Sequence, residues 1–382
     1  MKRRICVTTG GRSEYGILRP VIKAIKESKK LDLCLLVSGM HLSKKHGFTI
    51  KEIQNDGFRI YDTVNMIPKG DSTYHMSLSL GNGILRFSDI FRKLKPDINL
   101  ILGDRDEAFA SALAASHMNI PNAHIHGGDK SQGGLDEYNR HAITKISNIH
   151  FAASKKSKER IIKMGEDPEH VFITGSPAID EIAQNKITGM KELEEKYGIK
   201  FSNGYMLLLQ HPVTTEFGKV QDQIRNILEA IVKTKKQTII IAPNSDAGNS
   251  IIYKNIVRYS KIFPFIKWYP TLPRNDYLGI LKNSKVLLGN SSSGIIEAGY
   301  FGVPFINMGI RQNGRESTKN VINVKDISEN LIYRTICQVL KRKPHPSYDR
   351  NIYGNGNASK KIVQVLEEIQ INDKLIQKQI FY

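Results

Sequence analysis

The hydrophobic positions of the chain form short apolar runs that alternate with longer segments of helical period. In the first half, apolar runs of strand length lie at residues 3–9, 32–39, 98–103, 121–127 and 149–154. Segments between them, such as 15–28 and 105–120, repeat apolar residues at the spacing of an amphipathic helix. This alternation predicts a parallel β-sheet with helical crossover connections.

The same alternation begins again near residue 205. Further strand-like runs lie at 205–211, 237–243, 265–270, 285–290 and 304–309, with helical segments at 219–233 and 276–284. The segment between the halves, 180–204, is polar and contains glycine. We therefore predict an α/β fold of two doubly wound domains, residues 1–180 and 181–356. One amphipathic helix, 357–382, follows, and we expect it to cross back to the first domain.

Length and composition agree with two soluble domains. A chain of 382 residues, 40% of them hydrophobic, is too long for one ordinary core. No apolar run reaches the roughly 18–20 residues of a membrane span, and the apolar segment at the N-terminus ends at Val7, which fits a strand rather than a signal peptide. Three scattered cysteines without metal spacing predict reduced thiols in a cytoplasmic protein. The lack of a membrane-length apolar run predicts no membrane partner.

The charge raises the question of an anionic partner. The net charge is +19 and the sequence pI is about 9.6. Basic surfaces of this kind bind nucleic acid, anionic lipid or phosphorylated small molecules. The basic residues are spread through amphipathic segments, and no nucleic-acid motif accompanies them. Solvated helix faces explain most of the lysines, so we expect no nucleic-acid partner, and an anionic substrate would explain a few arginines and histidines.

Ligands of open parallel sheets bind beyond the carboxyl ends of the strands, so the loops there are the candidates for chemistry. In "TTGGRSEYG", residues 8–16, two glycines precede Arg12 at the start of a helix. Backbone N–H groups at such a start attract phosphate. The loop lacks both the dinucleotide-binding and the P-loop spacing. A tight turn with an exposed Arg12 is the alternative interpretation.

Two acidic stretches follow later strands. In "LGDRDEAF", Asp104 stands at a strand end, either as a helix cap or as an acid/base carboxylate. In "IHGGDKSQGGLDEYNRHAI", residues 125–143, strand alternation predicts that His126 points toward the ligand if His124 points away. Asp136 and Arg140, four residues apart, share a helix face and could form an ordinary ion pair.

Taken together with Asp104, this second stretch forms a plausible proton-transfer site. Taken singly, its members have structural interpretations as a loop histidine, a surface pair or a helix cap. His124, His126 and Asp129 could in principle bind zinc, although a third strong ligand is not obvious. We predict no metal and no other cofactor.

The second half carries two further candidates. His211 ends a strand in "LLLQHPVTTE", where a structural role is equally plausible. In "LLGNSSSGIIEAGYFGVPFINMGIRQNGRE", residues 287–316, three serines and a glycine open a helix that carries Glu297. Such a start can bind phosphate or diphosphate, Glu297 can accept hydrogen bonds from ribose, and Arg311 can pair with phosphate. An N-capped helix is the alternative.

Several of these motifs, in this order, resemble the hydrolysing UDP-N-acetylglucosamine 2-epimerases. The resemblance rests on "GNSSSGIIEAGYFGVPFINMGIRQNGR", "LGDRDEAFASALAASHMNIPNAHIHGGD", "LDEYNRHAITKISNIHF" and "QHPVTT". It implies two Rossmann-like domains of the GT-B type that face a cleft. It also implies elimination of UDP to a glycal, followed by hydration, so that UDP-N-acetylglucosamine yields N-acetylmannosamine and UDP. Relatives form dimers or tetramers, so we expect a homo-oligomer.

The resemblance also assigns residues. Asp104 and Asp136 match the catalytic carboxylates of the family, and Arg140 matches an active-site arginine. The remaining matches are in the UDP or diphosphate site: Arg12, His211, Ser291, Ser292, Glu297 and Arg311. Many members have a glutamate where this chain has His126, and an imidazole can also transfer protons near neutral pH.

Because residue 126 is expected near the sugar ring, the histidine at this position allows a second candidate for the substrate sugar. The alternative substrate is UDP-2,4-diacetamido-2,4,6-trideoxyglucose, on the path to legionaminic acid. More distant alternatives are a UDP-sugar glycosyltransferase, a non-catalytic nucleotide-sugar binder and a non-hydrolysing epimerase that returns UDP to the sugar. Asp104, His126, Asp136, Arg140 and His211 are our predicted catalytic residues.

Overall fold

The computed structural model describes residues 2–44, 47–70, 72–132, 134–184, 187–198, 200–202, 204–244, 246–342 and 352–382. The chain divides into two compact units. Unit 1 comprises Met1–Asp129, Leu135–Gln184 and Tyr353–Tyr382. Unit 2 comprises Lys130–Gly134 and Asn185–Ile352.

Each unit contains one parallel sheet. In the described part of unit 1 the strands are β1 (Arg3–Thr9), β2 (Leu31–Ser38), β3 (Ile60–Val64), β4 (Ile98–Leu102), β5 (Asn122–Ile125), β6 (Ile149–Ala152) and β7 (Val171–Ile173). In unit 2 they are β8 (Met206–Leu209), β9 (Thr238–Ile241), β10 (Ile266–Tyr269), β11 (Val286–Gly289), β12 (Phe305–Met308) and β13 (Val321–Val324). The spatial orders are β3-β2-β1-β4-β5-β6-β7 and β10-β9-β8-β11-β12-β13, the doubly wound order of Rossmann-like sheets.

Helices connect the strands. In chain order they are α1 (Arg12–Glu27), α2 (Ile50–Asn55), α3 (Thr73–Leu94), α4 (Asp106–His117), α5 (Leu135–Lys145), α6 (Lys155–Lys163), α7 (Pro177–Ala183), α8 (Met190–Tyr197), α9 (Val220–Thr234), α10 (Asn249–Ile262), α11 (Arg274–Asn283), α12 (Glu297–Phe301), α13 (Glu329–Lys341), α14 (Ala358–Glu368) and α15 (Asp373–Ile376). Among the described residues, no helix is both long enough and apolar enough to cross a lipid bilayer.

The central strands of unit 1 are buried on both faces, whereas the edge strands β3 and β7 contain exposed residues. Ile5 and Val7 of β1 pack in one apolar cluster with residues of α1 and α14. Cys6 lies between them in sequence and packs on the opposite face with Phe87 and Phe91 of α3. Because successive side chains of a strand alternate between faces, a nearly continuous apolar run fits a sheet covered by helices on both sides. The predicted α/β class follows from this arrangement.

The C-terminal tail differs from the sequence prediction, because it is not one helix. After α14 ends at Glu368, Ile369 adopts an extended backbone. The side chain of Asn372 then accepts a hydrogen bond from the Leu375 backbone N–H and starts the short helix α15. An asparagine that competes in this way for backbone donors favours a new N-terminus over continuation of a helix.

Candidate functional site

The loop after β4 and the helix α5 bring Asp104 and Arg140 together in unit 1. The Arg140 guanidinium donates to Asp104 Oδ2, to Glu137 Oε2 at 2.6 Å and to the Asp129 carbonyl at 3.1 Å. The Arg140 side chain is only 2% exposed. Asp104 does not cap α4, since the residue before that helix is Arg105. The structure therefore places two predicted residues in direct contact.

Electrostatics keeps Arg140 charged. Burial by itself would lower the pKa of Arg140, but the carboxylates of Asp104, Asp129 and Glu137 outweigh burial and raise that pKa above its ordinary value. A buried cation of this kind is stable only when acidic partners compensate it. Arg140 thus fixes the position of the Asp104 carboxylate at the end of β4.

Asp136 lies in the first turn of α5, partly exposed, four residues before Arg140. Residues at this spacing lie on the same face of a helix, and an acidic residue is favoured at a helix N-terminus. The ion pairs of Arg140 described above involve Asp104 and Glu137, a residue that the sequence analysis did not select. Glu137 also binds His141 at 3.0 Å.

His126 lies just beyond β5, which ends at Ile125, and its φ of +67° is left-handed. The strand alternation used to orient its side chain is therefore wrong at this position. Its Nδ1 lies 2.8 Å from Asp129 Oδ2, and its Nε2 lies 2.8 Å from Ser176 Oγ. The side chain is buried, between the ends of β5 and β7.

The proposed zinc ligands have other partners. His124 Nε2 lies 2.7 Å from the Gly103 carbonyl, and burial lowers the pKa of His124 to about 3. Asp129 instead contacts His126 and Ser157. Within the described residues, no three His, Cys, Asp or Glu side chains are grouped so that they could bind a metal ion.

Arg12 is the first residue of α1, which begins before the predicted helical segment 15–28, and its Nε lies 2.6 Å from Glu52 Oε2 on α2. It is thus not simply an exposed turn residue. Two residues later, Glu14 is buried, and its Oε2 accepts a hydrogen bond from the Gly10 backbone N–H at 2.9 Å. Burial, with a smaller effect of the nearby Glu107 carboxylate, raises the pKa of Glu14 to about 8.

Because the pKa of Glu14 is raised in the folded protein, we expect the free energy of unfolding to depend on pH. Its folded pKa lies above the ordinary value of 4.5, so its stabilising effect is complete below about pH 4.5 and is lost as the pH rises through about 8. At roughly 1.4 kcal/mol per pH unit, we expect wild type to lose roughly 2–3 kcal/mol between pH 5 and 7 relative to Glu14→Gln. Urea unfolding of both proteins at each pH measures this difference.

The control is Glu27→Gln, which changes an exposed carboxylate on the same helix. We expect this variant to follow wild type at both pH values. If the stabilities of wild type and Glu14→Gln run parallel from pH 5 to 7, Glu14 is already ionised and the prediction is wrong.

In unit 2, Asn290 joins the ends of three strands. Its side chain accepts from the His211 backbone N–H at 2.8 Å and donates to the His211 carbonyl at 2.9 Å. Its own carbonyl accepts from Arg311 Nη1 at 3.2 Å and from Gln312 Nε2 at 2.9 Å. The structure therefore groups His211 and Arg311 beyond the carboxyl ends of β8 and β12. His211 Nδ1 accepts from the Asn244 backbone N–H at 3.2 Å, so its ring proton is on Nε2.

The serine-rich loop follows β11 in the same unit. Ser292–Gly294 form a 3₁₀ turn, and Ser291 caps it by accepting from the Ser293 backbone N–H. The helix α12 begins only at Glu297, so the serines cap and form a separate turn and do not open the helix as predicted. Glu297 is buried and forms an ion pair with Arg274 at 2.8 Å.

Several residues that support these groups could not be selected from the sequence. Ser176, Arg274 and Tyr277 contact His126, Glu297 and Ser293, respectively. Ser176 precedes Pro177, a typical start of a helix, and this pattern gives no sign of a partner 50 residues earlier. For Arg274, the only available signal was an arginine in the first turn of a helix, where a cation is not favoured.

Most of the chain matches one known protein family. The model of a family described as UDP-N-acetylglucosamine 2-epimerase matches residues 23–367. The chain belongs to this epimerase family. The resemblance stated from the sequence is confirmed, and so is the expectation of an enzyme in nucleotide-sugar metabolism.

Individual relatives extend the match over the whole chain. A UDP-N,N'-diacetylbacillosamine 2-epimerase (hydrolyzing) of Legionella pneumophila is 39% identical over 378 residues, which cover 99% of both chains. A UDP-N-acetylglucosamine 2-epimerase of Neisseria meningitidis is 35% identical over 332 residues, which cover 87% of this chain and 86% of the relative. These 2-epimerases are named for different sugars.

A solved structure supports the fold. The UDP-GlcNAc 2-epimerase of Methanocaldococcus jannaschii, solved with UDP-GlcNAc and UDP, superposes with a TM-score of 0.78. The alignment covers 96% of this chain and 99% of that protein at 22% identity, so it is evidence for the fold alone. The predicted α/β class with two Rossmann-like domains, of the GT-B type, is confirmed.

Proposed function

We propose that this epimerase is a hydrolysing UDP-sugar 2-epimerase, which converts a UDP-linked 2-acetamido sugar and water into UDP and the free 2-epimer. The observation that carries the proposal is the match to a hydrolysing relative over 99% of both chains. UDP-N-acetylglucosamine, with N-acetylmannosamine as the product, is the first candidate substrate. The family relative from Neisseria supports it.

A second candidate is UDP-N,N'-diacetylbacillosamine, the 2,4-diacetamido-2,4,6-trideoxyglucose nucleotide of the legionaminic acid path. One observation favours it: the Legionella relative is more similar and covers more of the chain than the Neisseria relative. The histidine at position 126, where many family members are expected to have glutamate, agrees with a different sugar. The two substrates undergo the same bond changes.

The residues of unit 1 suit the proton transfers. A base removes the C2 proton, the C1–O bond breaks and UDP leaves with the bonding electrons. Water then adds to C1, and C2 receives a proton on the opposite face. We assign these transfers to Asp104, Asp136 and His126, with Arg140 fixing Asp104 through the ion pair described above. Groups of this kind each contribute about 10²–10⁴-fold to the rate.

The residues of unit 2 suit the departing diphosphate. Negative charge develops on that group as the C1–O bond breaks, so donors directed at it lower the barrier. We assign His211 Nε2–H, the Arg311 guanidinium and the hydroxyl groups of Ser291 and Ser292 to this role. The buried Glu297 carboxylate, held by Arg274, is assigned to the ribose hydroxyl groups. Arg12 is the assigned phosphate contact from unit 1.

Incubation of the protein with each UDP-sugar alone in D₂O tests the proposal by proton NMR of the products. We expect UDP, the free 2-epimer and deuterium at C2 from at least one of the two substrates. Comparing kcat/KM for the two identifies the sugar. Release of UDP only when an acceptor is added would indicate a glycosyltransferase, a UDP-linked 2-epimer would indicate a non-hydrolysing epimerase, and binding without turnover would indicate a sensor.

A further inference from the structure

Both ring nitrogens of His126 have a buried partner within unit 1. Asp129 lies on the Nδ1 side and Ser176 on the Nε2 side, each at 2.8 Å. The exposed fractions are 6% for His126, 2% for Asp129 and 0% for Ser176. In such a buried site each polar atom needs a matching donor or acceptor, so the hydrogen-bond partners indicate which atom carries each proton.

These partners assign the tautomer of His126. A carboxylate only accepts hydrogen bonds, and Asp129 already accepts from the Ser157 hydroxyl at 2.8 Å through Oδ1. Its Oδ2 therefore accepts from Nδ1–H of His126. Ser176 Oγ accepts from the Ala178 backbone N–H at 3.3 Å as the cap of α7, which leaves its hydroxyl proton for Nε2. In the neutral ring of His126 the proton is therefore on Nδ1, and Nε2 accepts from the Ser176 hydroxyl.

The backbone around this pair is fixed from several sides. His126 has the left-handed φ of +67°, which costs energy for a residue with a side chain and is maintained only by its surroundings. Gly128 also has a positive φ, and a Cβ there would lie 2.3 Å from the Ser157 carbonyl. Arg160 donates to the Gly128 carbonyl, and Arg140 to that of Asp129. The loop is therefore preorganised.

We propose that Asp129 and Ser176 are positioning residues for His126. Asp129 keeps the proton on Nδ1, so Nε2 is the nitrogen that takes up and returns a proton during turnover. The Ser176 hydroxyl donates to the neutral ring. Its O–H rotates away as Nε2 takes up the proton from the sugar, and Oγ then accepts from Nε2–H until that proton is returned. This inference rests on the proposed function, in which His126 takes part in proton transfer. It adds the two residues that determine which nitrogen acts.

Kinetics of Asp129→Asn and Ser176→Ala test the proposal. An asparagine can present its NH₂ group to Nδ1 and favour the other tautomer. We expect kcat of Asp129→Asn to fall about 10–100-fold with KM within about twofold of wild type, since only part of the general acid/base effect is lost. Ser176→Ala, which leaves the tautomer intact, should lower kcat about 3–10-fold.

Matched variants separate positioning from folding. Asp180 is a buried aspartate of the same unit, and its carboxylate accepts from the Ala358 and Ser359 backbone N–H groups. Ser147 is a buried serine that donates to the Ile143 carbonyl. Asp180→Asn and Ser147→Ala should lose thermal stability comparable to the test variants yet keep kcat within about twofold of wild type. A kcat of Asp129→Asn equal to that of Asp180→Asn would overturn the proposal.

The tautomer can be measured without turnover. In long-range ¹H–¹⁵N spectra of the imidazole-labelled protein, the His126 signals are identified by their loss in His126→Gln. We expect Nδ1 to be protonated and Nε2 to be unprotonated in wild type, and this pattern to be lost in Asp129→Asn. An Nε2-protonated ring in wild type would overturn the proposal. If wild type releases no UDP from either sugar, the proposed function fails, and the NMR result alone decides the positioning of His126.

Discussion

Replacing Asp104 by asparagine should lower kcat by about 10²–10⁴-fold while the protein still folds. The amide has the same shape as the carboxylate, but it cannot accept a proton from the sugar. Arg140 loses one charged partner and keeps Glu137 and the Asp129 carbonyl. The unfolding free energy should therefore fall by about 1–3 kcal/mol, less than the 3–5 kcal/mol of a fully unpaired buried charge. UDP release and urea unfolding measure the two effects.

The control for this variant is Asp97→Asn, at the opposite end of the same strand. Asp97 Oδ2 accepts from the Arg4 backbone N–H at 2.6 Å and is not among the proposed site residues. We expect a small loss of stability there and a turnover close to wild type. Wild-type turnover of Asp104→Asn would remove this residue from the mechanism. A loss of turnover that only parallels a loss of folded protein would show that Asp104 is structural.

The fold could be predicted because its signals are local. The run "RRICVTT" becomes β1 at the predicted positions 3–9, since its apolar centre, residues 5–7, fits a strand covered by helices on both faces. The edge strand β3, with exposed residues between Ile60 and Val64, lacks such a run and was missed. The tail was predicted as one helix because its apolar period continues, whereas the cap at Asn372 depends on one side-chain contact.

Candidate residues of the site could be selected one by one from the sequence, but their contacts could not be predicted. The position of Asp104 at a strand end makes it a candidate, and no sequence pattern shows that its partner is Arg140, 36 residues later. His126 was oriented by strand alternation, which fails because β5 ends one residue earlier. Ser176 and Arg274 belong to other loops, so only the folded chain brings them to His126 and Glu297. The periodicity of a sequence does not show which distant residues contact each other in the folded chain.

Replacing Glu297 by glutamine should destabilise unit 2 and weaken UDP binding. The Glu297 and Arg274 side chains are 4% and 7% exposed, so removal of the carboxylate charge leaves a buried guanidinium with too little compensation. We expect the unfolding free energy to fall by about 3–5 kcal/mol. A hydrogen bond from a ribose hydroxyl to a charged group contributes about 1.5–3 kcal/mol, so Kd for UDP should rise about 10–100-fold. Urea unfolding and calorimetric titration with UDP measure these values.

The matched control is Glu329→Gln in the same unit, where Glu329 forms an ion pair with Lys233 and both side chains are partly exposed. Water screens this pair, so we expect a loss of unfolding free energy of under about 1 kcal/mol and an unchanged Kd for UDP.

The double variant Arg274→Met with Glu297→Gln separates the two roles of Glu297. Removing both partners should recover stability relative to Glu297→Gln, because the buried guanidinium is removed together with the carboxylate that compensates it. UDP affinity should stay low, since the acceptor for ribose is still absent. If UDP affinity recovers together with stability, Glu297 only compensates Arg274, and its assignment to the nucleotide is wrong.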